Sequence, residues 1–289
     1  MGSFDAAWLA LREPADAAAR ADALATALAA RLGFPAELRV ADLGSGTGAN
    51  ARYLLSRLPS PQAWLLADAD PALLAVMAGA MALWAPSHAC RTAHAGDGVD
   101  VTGATIAARL TSRQADLTDD SALDALVAGR HLVTASALLD LVSAAWLEAL
   151  LARCRDAGAA VLFALSYDGR LACEPVEPGD ELVRELVNTH QQGDKGFGPA
   201  LGPTAASAAA RQLAGLGYTV RTAASDWRLG IKDAALQRSL IDGWATAARE
   251  APGAARDAVD AWHARRLAHL DAGRSTLIVG HQDLAAWLP

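Results

Sequence analysis

Arg39-Val40-Ala41-Asp42-Leu43-Gly44-Ser45-Gly46-Thr47-Gly48-Ala49-Asn50 decides the fold of this 289-residue chain. The apolar run over 38–43 reads as a strand that closes on an acid. Three glycines follow at alternating positions, and a helix over 50–58 comes after them. Strand, acid, glycine loop and helix in that order present backbone N–H groups to a nucleotide-like ligand. A Cβ there would block the ligand's approach, and the tight turn demands positive φ. Gly44, Gly46 and Ala49 also satisfy the dinucleotide pattern G-x-G-x-x-G/A, so the glycines alone leave two cofactor classes open. A tight strand–helix turn with no ligand is the plainer alternative, but three glycines in five residues weaken a fold unless something approaches them.

Outward from the loop, strands and helices alternate. A helix over 16–32 stops at Gly33, with Pro35 just beyond. A strand over 63–67 closes on Asp68-Ala69-Asp70-Pro71. Pro71 suits the first turn of a helix to about 83, with Asp70 as its N-cap. The glycine-rich patch 96–105 reads as a small hairpin, and a strand over 108–114 leads to Asp116-Leu117-Thr118. A short helix (121–127), a strand (131–136), a helix (144–154) and a strand (159–166) follow. The last is a near-continuous apolar run, as in a parallel sheet buried on both faces. Alternation breaks over 167–203, which holds one helix, 180–190. It resumes with a helix (204–216), a strand (218–224), a helical stretch (234–270, broken near Pro252-Gly253) and a final strand (275–280). This is one domain over 1–289 with seven strands, an N-terminal helical segment (1–37) and an insert (167–203).

Composition narrows the function. Apolar residues make up 53% of the chain and charged residues 20%, enough for a sizeable core. Net charge is −7 and lysine occurs only at 195 and 232, so the basic footprint that a nucleic-acid partner needs is missing. Cys90, Cys154 and Cys173 lack metal-ligand or disulfide spacing and read as reduced thiols of a cytoplasmic protein. The start carries acids and no basic leader, and no apolar run of membrane-spanning length free of charge is expected. No metal is expected, since no His/Asp cluster has ligand spacing. The helices over 234–270 could pair with a second copy, making a homo-oligomer possible.

Three details favour S-adenosylmethionine (SAM) over NAD. Asp42, two residues before the first glycine, suits the cofactor's amino-acid end, where a dinucleotide would place repelled pyrophosphate. Gly48 completes G-x-G-x-G, and further acids, Asp68 and Asp116, stand at the next strand ends. The arrangement resembles motif I of the class I SAM-dependent methyltransferases, well over 38–166 and in outline beyond. The resemblance implies an α/β fold with a seven-stranded, mostly parallel, doubly wound sheet whose last strand is antiparallel, and a helical cap after strand five. It also implies methyl transfer from SAM to an acceptor, here a small molecule.

Residue roles follow from the resemblance. Asp42, Gly44, Ser45, Gly46, Gly48 and Asn50 belong to the loop. Asp68, beside Ala69, accepts from both ribose hydroxyls, which the two oxygens of a carboxylate suit. Asp116 and Leu117 read adenine through the carboxylate and a backbone N–H, with a helix N-cap as the plainer role for Asp116. Ser136 or Ala137, in the place of motif IV, offers backbone contacts to the methionine part. The stretch 134–140 lacks the Asn/Asp-Pro-Pro-Tyr/Phe of DNA and protein amide methyltransferases, which argues against those substrates. Trp8 to Pro14 is expected to fold over the site, with Arg12 pairing the SAM carboxylate.

Candidate bases are His190, in a polar, glycine-flanked segment of the insert, and Tyr167 at the end of strand five. His190 reads equally as a cationic helix end. Trp227 and Arg228 are expected in a lid, Trp244 and Trp262 in the core. Two other functions stay open: a non-catalytic SAM sensor on the same fold, and an NAD-dependent oxidoreductase.

Overall fold

A computed structural model describes residues 5–33 and 35–289; residues 1–4 and 34 of the N-terminal segment lie outside it. The chain is built around β1 (Leu38–Leu43), whose alternate side chains are buried on both faces of the sheet. It pairs in parallel with β2 (Gln62–Asp68) on one side and β6 (Leu132–Ser136) on the other. Outside these lie β5 (Ala107–Gln114) and β7 (Ala160–Glu174), both parallel to their neighbours. β10 (Thr276–Trp287) runs antiparallel between β7 and β8 (Thr219–Ala224). The sheet thus contains the seven expected strands in the order β5-β2-β1-β6-β7-β10-β8, with the last strand in sequence reversed.

It also contains three more. The hairpin expected over 96–105 is β3 (Cys90–Ala95) and β4 (Gly98–Gly103), which extends the sheet antiparallel beyond β5. β9 (Trp227–Leu229), too short to read in sequence, pairs with β10. β7 runs on to Glu174, and β10 runs past Gly280 to Trp287. The first part of the insert is therefore strand, because each long strand supplies the other's backbone partners. β10 carries bulges opposite Tyr167 and Phe163, and Leu165 takes φ +53° there.

The helix expected over 16–32 is two, α1 (Ala6–Ala19) and α2 (Asp22–Leu32), broken at Arg20 and Ala21. Arg20 is extended, and its side chain and the Ala21 N–H are drawn to Asp283 of β10. After β1 comes the short α3 (Ala49–Leu54), and after β2 α4 (Pro71–Trp84), capped by Asp70 through the Ala72 N–H. With the 3-10 turn Ala85–His88, α4 makes an 18-residue helical run of mean hydropathy 1.2 without a charged residue. That corrects the expectation that no such run exists. Leu73, Leu74, Met77 and Met81 of α4 are buried.

α5 (Asp120–Val127), α6 (Ala144–Asp156) and α8 (Ala205–Gly215) cover the other face. The remaining helices are α7 (Asp180–Gln191), α9 (Ala234–Glu250) and α10 (Arg256–Asp271). They form a third apolar core with β9 and the apolar side of α1, in which Trp244 and Trp262 are buried as expected.

Candidate functional site

In an open α/β sheet the crevice lies beyond the carboxyl ends of the strands. Here the glycine loop after β1, Asp68 at the end of β2 and Ser136–Ala137 after β6 border one open cleft. α1 forms its roof with Leu9, Arg12 and Asp16. Gly46 takes φ +52°, and a Cβ there would lie 2.9 Å from Leu9 Cδ1. Glycine is needed at this position for conformation and for room.

Polar groups tie the loop down. The Gly46 N–H donates to Asp68 Oδ2 at 2.8 Å, and the Asp70 N–H to Asp68 Oδ1 at 2.9 Å. Each oxygen keeps a lone pair for the cleft. Asp42 is fully buried behind the loop, where its Oδ1 accepts from Asn50 Nδ2 at 2.7 Å. The same amide nitrogen reaches Thr134 Oγ1 at 3.1 Å, and Arg20 Nη1 donates to Asn50 Oδ1 at 2.9 Å. Arg20 Nε bonds Asp283 Oδ2 at 3.3 Å. A buried chain Asp283–Arg20–Asn50–Asp42 therefore joins the α1–α2 break to the loop. Burial pushes the Asp42 carboxyl up to about 7, against the Asn50 bond and the Arg20 charge. Asp42 Oδ2 and Ser45 Oγ are buried without a partner.

On the roof, Arg12 Nε and Nη2 bond Asp16 at 2.9 and 3.1 Å, and the guanidinium lies 4.9 Å over the Trp227 ring. Trp227 Nε1 donates to Asp16 Oδ1 at 3.0 Å, which places Trp227 under α1. Burial raises the Asp16 carboxyl above its ordinary range, although Arg12 opposes it. Glu13 bonds Arg52 of α3 at 2.6 and 2.7 Å, and Arg52 Nη1 donates to Thr47 O at 2.6 Å. α1 is thus fastened to the loop at its middle and, through Arg20, at its end.

The cleft brings together Gly44, Ser45, Gly46, Asn50, Asp68, Ser136 and Arg12 of the expected site. Asp42 and Gly48 lie behind it. Ala69 and Asp116 are exposed, while Leu117 is buried and its carbonyl accepts from Trp146 Nε1. None of these three borders the cleft. Asp116 Oδ1 accepts from the Thr118 N–H and hydroxyl, which hold the carboxylate below its usual range. The helix cap is Asp119 instead. Asn50 borders the cleft from the first turn of α3, but its amide is spent on Asp42, Thr134 and Arg20.

The structure does not bring the two candidate bases to the cleft. His190, in the last turn of α7, faces Glu250 of α9 at 3.3 Å and Lys195 Nζ at 3.4 Å. The insert packs on the helical core, which turns this residue outward. Tyr167 is buried, its hydroxyl donates to Asn188 Oδ1 at 2.7 Å, and burial raises it further from ionisation. Neither serves as a base in this arrangement.

Sequence reading missed Asp140, His281 and Asp283. Asp140 sits in a 3-10 turn after β6, buried, with Oδ1 unpartnered, and burial pushes it up to about 6. His281 lies beside Trp227 and Tyr167 at ring distances of 5.0 and 6.3 Å; burial, then the Arg12 charge, lower it to about 4. A histidine and an aspartate at alternate positions of an apolar run were the available signal. It went unread because the strand was ended at Gly280. Ala137, on the cleft wall, and Leu165 both hold positive φ, which costs roughly 1–2 kcal/mol for a residue with a Cβ. Such strain gathers at functional sites.

No family model matches the chain, and no curated protein matches it. Many solved structures do. A cyclopropane-fatty-acyl-phospholipid synthase-like protein from Lactobacillus casei is 13% identical, covers 98% of this chain and 94% of its own, and gives a TM-score of 0.55. SAM-dependent methyltransferases from Geobacter sulfurreducens and Thiobacillus denitrificans, each in complex with S-adenosyl-L-homocysteine, are 15% and 12% identical. They cover 100% and 99% of this chain and 100% of their own, with TM-scores of 0.46 and 0.44. Strand order, reversed final strand and glycine loop together give this chain the class I SAM-dependent methyltransferase fold.

Proposed function

We propose that the protein transfers a methyl group from SAM to a small-molecule acceptor. The observation that carries this is the junction of loop and acid: Gly46, at a φ that only glycine tolerates well, is bonded to the Asp68 carboxylate across an open cleft. A carboxylate at the tip of β2 suits a ribose diol, which SAM and NAD both carry, so the choice between them rests on a direct comparison of binding. Ser45 Oγ, polar and unpartnered on the cleft wall, fits a ligand that brings donors of its own.

When bound, SAM supplies an electrophilic methyl group on a sulfonium sulfur. The chain's own residues bind and orient. Asp68 would hold the ribose, the backbone at Ser136 and Ala137 the methionine part, and Arg12 its carboxylate. α1, fastened over the loop by Leu9, Glu13 and Arg20, would exclude water.

Calorimetric titration with SAM, S-adenosylhomocysteine and NAD tests the reading. Micromolar binding of both adenosyl ligands (about −8 kcal/mol) and its loss in Asp68→Ala is expected. Binding of NAD alone, or of none of the three, refutes it.

A further inference from the structure

We propose that Arg12 occupies a cation site built for the ammonium group of an amine acceptor; this rests on the methyltransferase reading. Two groups hold the guanidinium. Asp16 takes two of its hydrogen bonds, and the Trp227 ring lies beneath it. The His281 ring lies 5.0 Å from that of Trp227 and 6.3 Å from that of Tyr167, and Asp140 follows β6, which pairs with the strand that carries Tyr167. Asp140 Oδ1 and His281 Nδ1 are buried and have no hydrogen-bond partner. Apart from Arg12 itself, the donors in this set are Trp227 Nε1, spent on Asp16, and the single ring N–H of neutral His281. Two carboxylates, an aromatic face and a free ring nitrogen repel an anionic acceptor. They suit a ligand that brings positive charge and only N–H donors.

The location fits an acceptor rather than a cofactor. Asp140 follows β6, and His281 pairs with Tyr167 of β7, on the far side of Ser136–Ala137 from Asp68. The guanidinium is the chain's own stand-in for the ligand. Arg12 also borders the cofactor cleft, where it is expected to meet a carboxylate. Turning toward that carboxylate frees Asp16 and the Trp227 face, so cofactor arrival opens the acceptor site. An ammonium group has no lone pair. It must first give a proton to a carboxylate, and the free Oδ1 of Asp140 is positioned in this set to take it, leaving a neutral amine.

The test does not depend on methyl transfer. Arg12→Ala empties the site, and ethylammonium and methylguanidinium chlorides are the probes, with sodium chloride at equal ionic strength as control. Expected is a saturable rise in Tm in Arg12→Ala, with affinity at least about tenfold above wild type (~1.4 kcal/mol). Adding Asp140→Asn should remove most of that gain. If Arg12→Ala does not fold, wild-type protein saturated with S-adenosylhomocysteine replaces it and should bind ethylammonium about tenfold more tightly than free protein. Equal response in wild type and variant, or a response that ignores Asp140→Asn, means that Arg12, Asp16 and Trp227 only fasten α1, and overturns the proposal. Adenosyl-ligand binding is measured separately, so failure of the cofactor reading is seen on its own.

Discussion

Asp283→Ala removes three hydrogen bonds from the interior at once. The carboxylate accepts from Arg20 Nε at 3.3 Å, the Ala21 N–H at 3.0 Å and the Leu165 N–H at 2.8 Å. The side chains of the ion pair are 4% and 2% exposed, so water cannot replace the lost partner. Breaking one side of a buried pair costs about 3–5 kcal/mol, and Arg20 keeps Asn50, which favours the lower end, about 3 kcal/mol. The Leu165 N–H adds about 1–2 kcal/mol as an unsatisfied donor, while the half-buried Ala21 adds little. The loss is then about 4–5 kcal/mol. At roughly 2.1 cal/mol/K per residue, the unfolding entropy of 289 residues is about 0.6 kcal/mol/K, so Tm should fall by roughly 8 °C. Calorimetric melts of Asp283→Ala, Arg20→Met and the double variant measure this. The pair should show a coupling of about 2–3 kcal/mol, because removing both partners strands no charge. Affinity for S-adenosylhomocysteine should fall with stability, since Arg20 leads through Asn50 to Asp42. A Tm within about 2 °C of wild type would refute the view that this network anchors the α1–α2 break.

Gly46→Ala forces φ +52° on a residue with a Cβ and drives that carbon to 2.9 Å from Leu9; calorimetry should show about tenfold weaker S-adenosylhomocysteine binding, ~1.4 kcal/mol. Burial raises Asp42 to about 7, so between about 4 and 7 the native state holds a proton that the unfolded chain has lost. Stability should therefore fall as pH rises through that window, and urea melts of Asp42→Asn should show a shallower fall. His281 has the opposite sign. Lowered to about 4, it stays neutral while the unfolded chain protonates below about 6.5, so stability is lost as pH falls from 6.5 to 4, and His281→Gln should flatten that acid limb. His190→Ala should change Tm by less than about 1 kcal/mol equivalent and leave adenosyl-ligand affinity intact, because its partner Glu250 is exposed. A tenfold loss of affinity would return His190 to the site.

Local chemistry made the cofactor half of the cleft legible. Positive φ at Gly46 and Gly48, an acid at the end of β2 and the Asp70–Pro71 cap are each dictated within a few residues, and periodicity is readable over such distances. The break between α1 and α2 was not legible. Residues 16–32 are good helix formers throughout, and what interrupts them is Asp283, more than 250 positions away, drawing in Arg20 and Ala21. The outward turn of His190 was hidden for a related reason. Density of polar residues marks a surface, but only the docking of α7 on α9 decides which way that surface faces.

The sequence by itself determined the order of strands and helices, the glycine loop and the acids that follow β1 and β2. These depend on backbone conformation and near-neighbour chemistry, which the chain carries wherever it goes. Tertiary structure alone decided that Asp116 stands outside the cleft and that Asp16, Trp227 and His281 gather beside Arg12. Those residues come from three separate stretches of chain, α1, β9 and β10. Only burial of three apolar cores in one sheet brings them together, and only that burial gives their charges and orphaned atoms consequence.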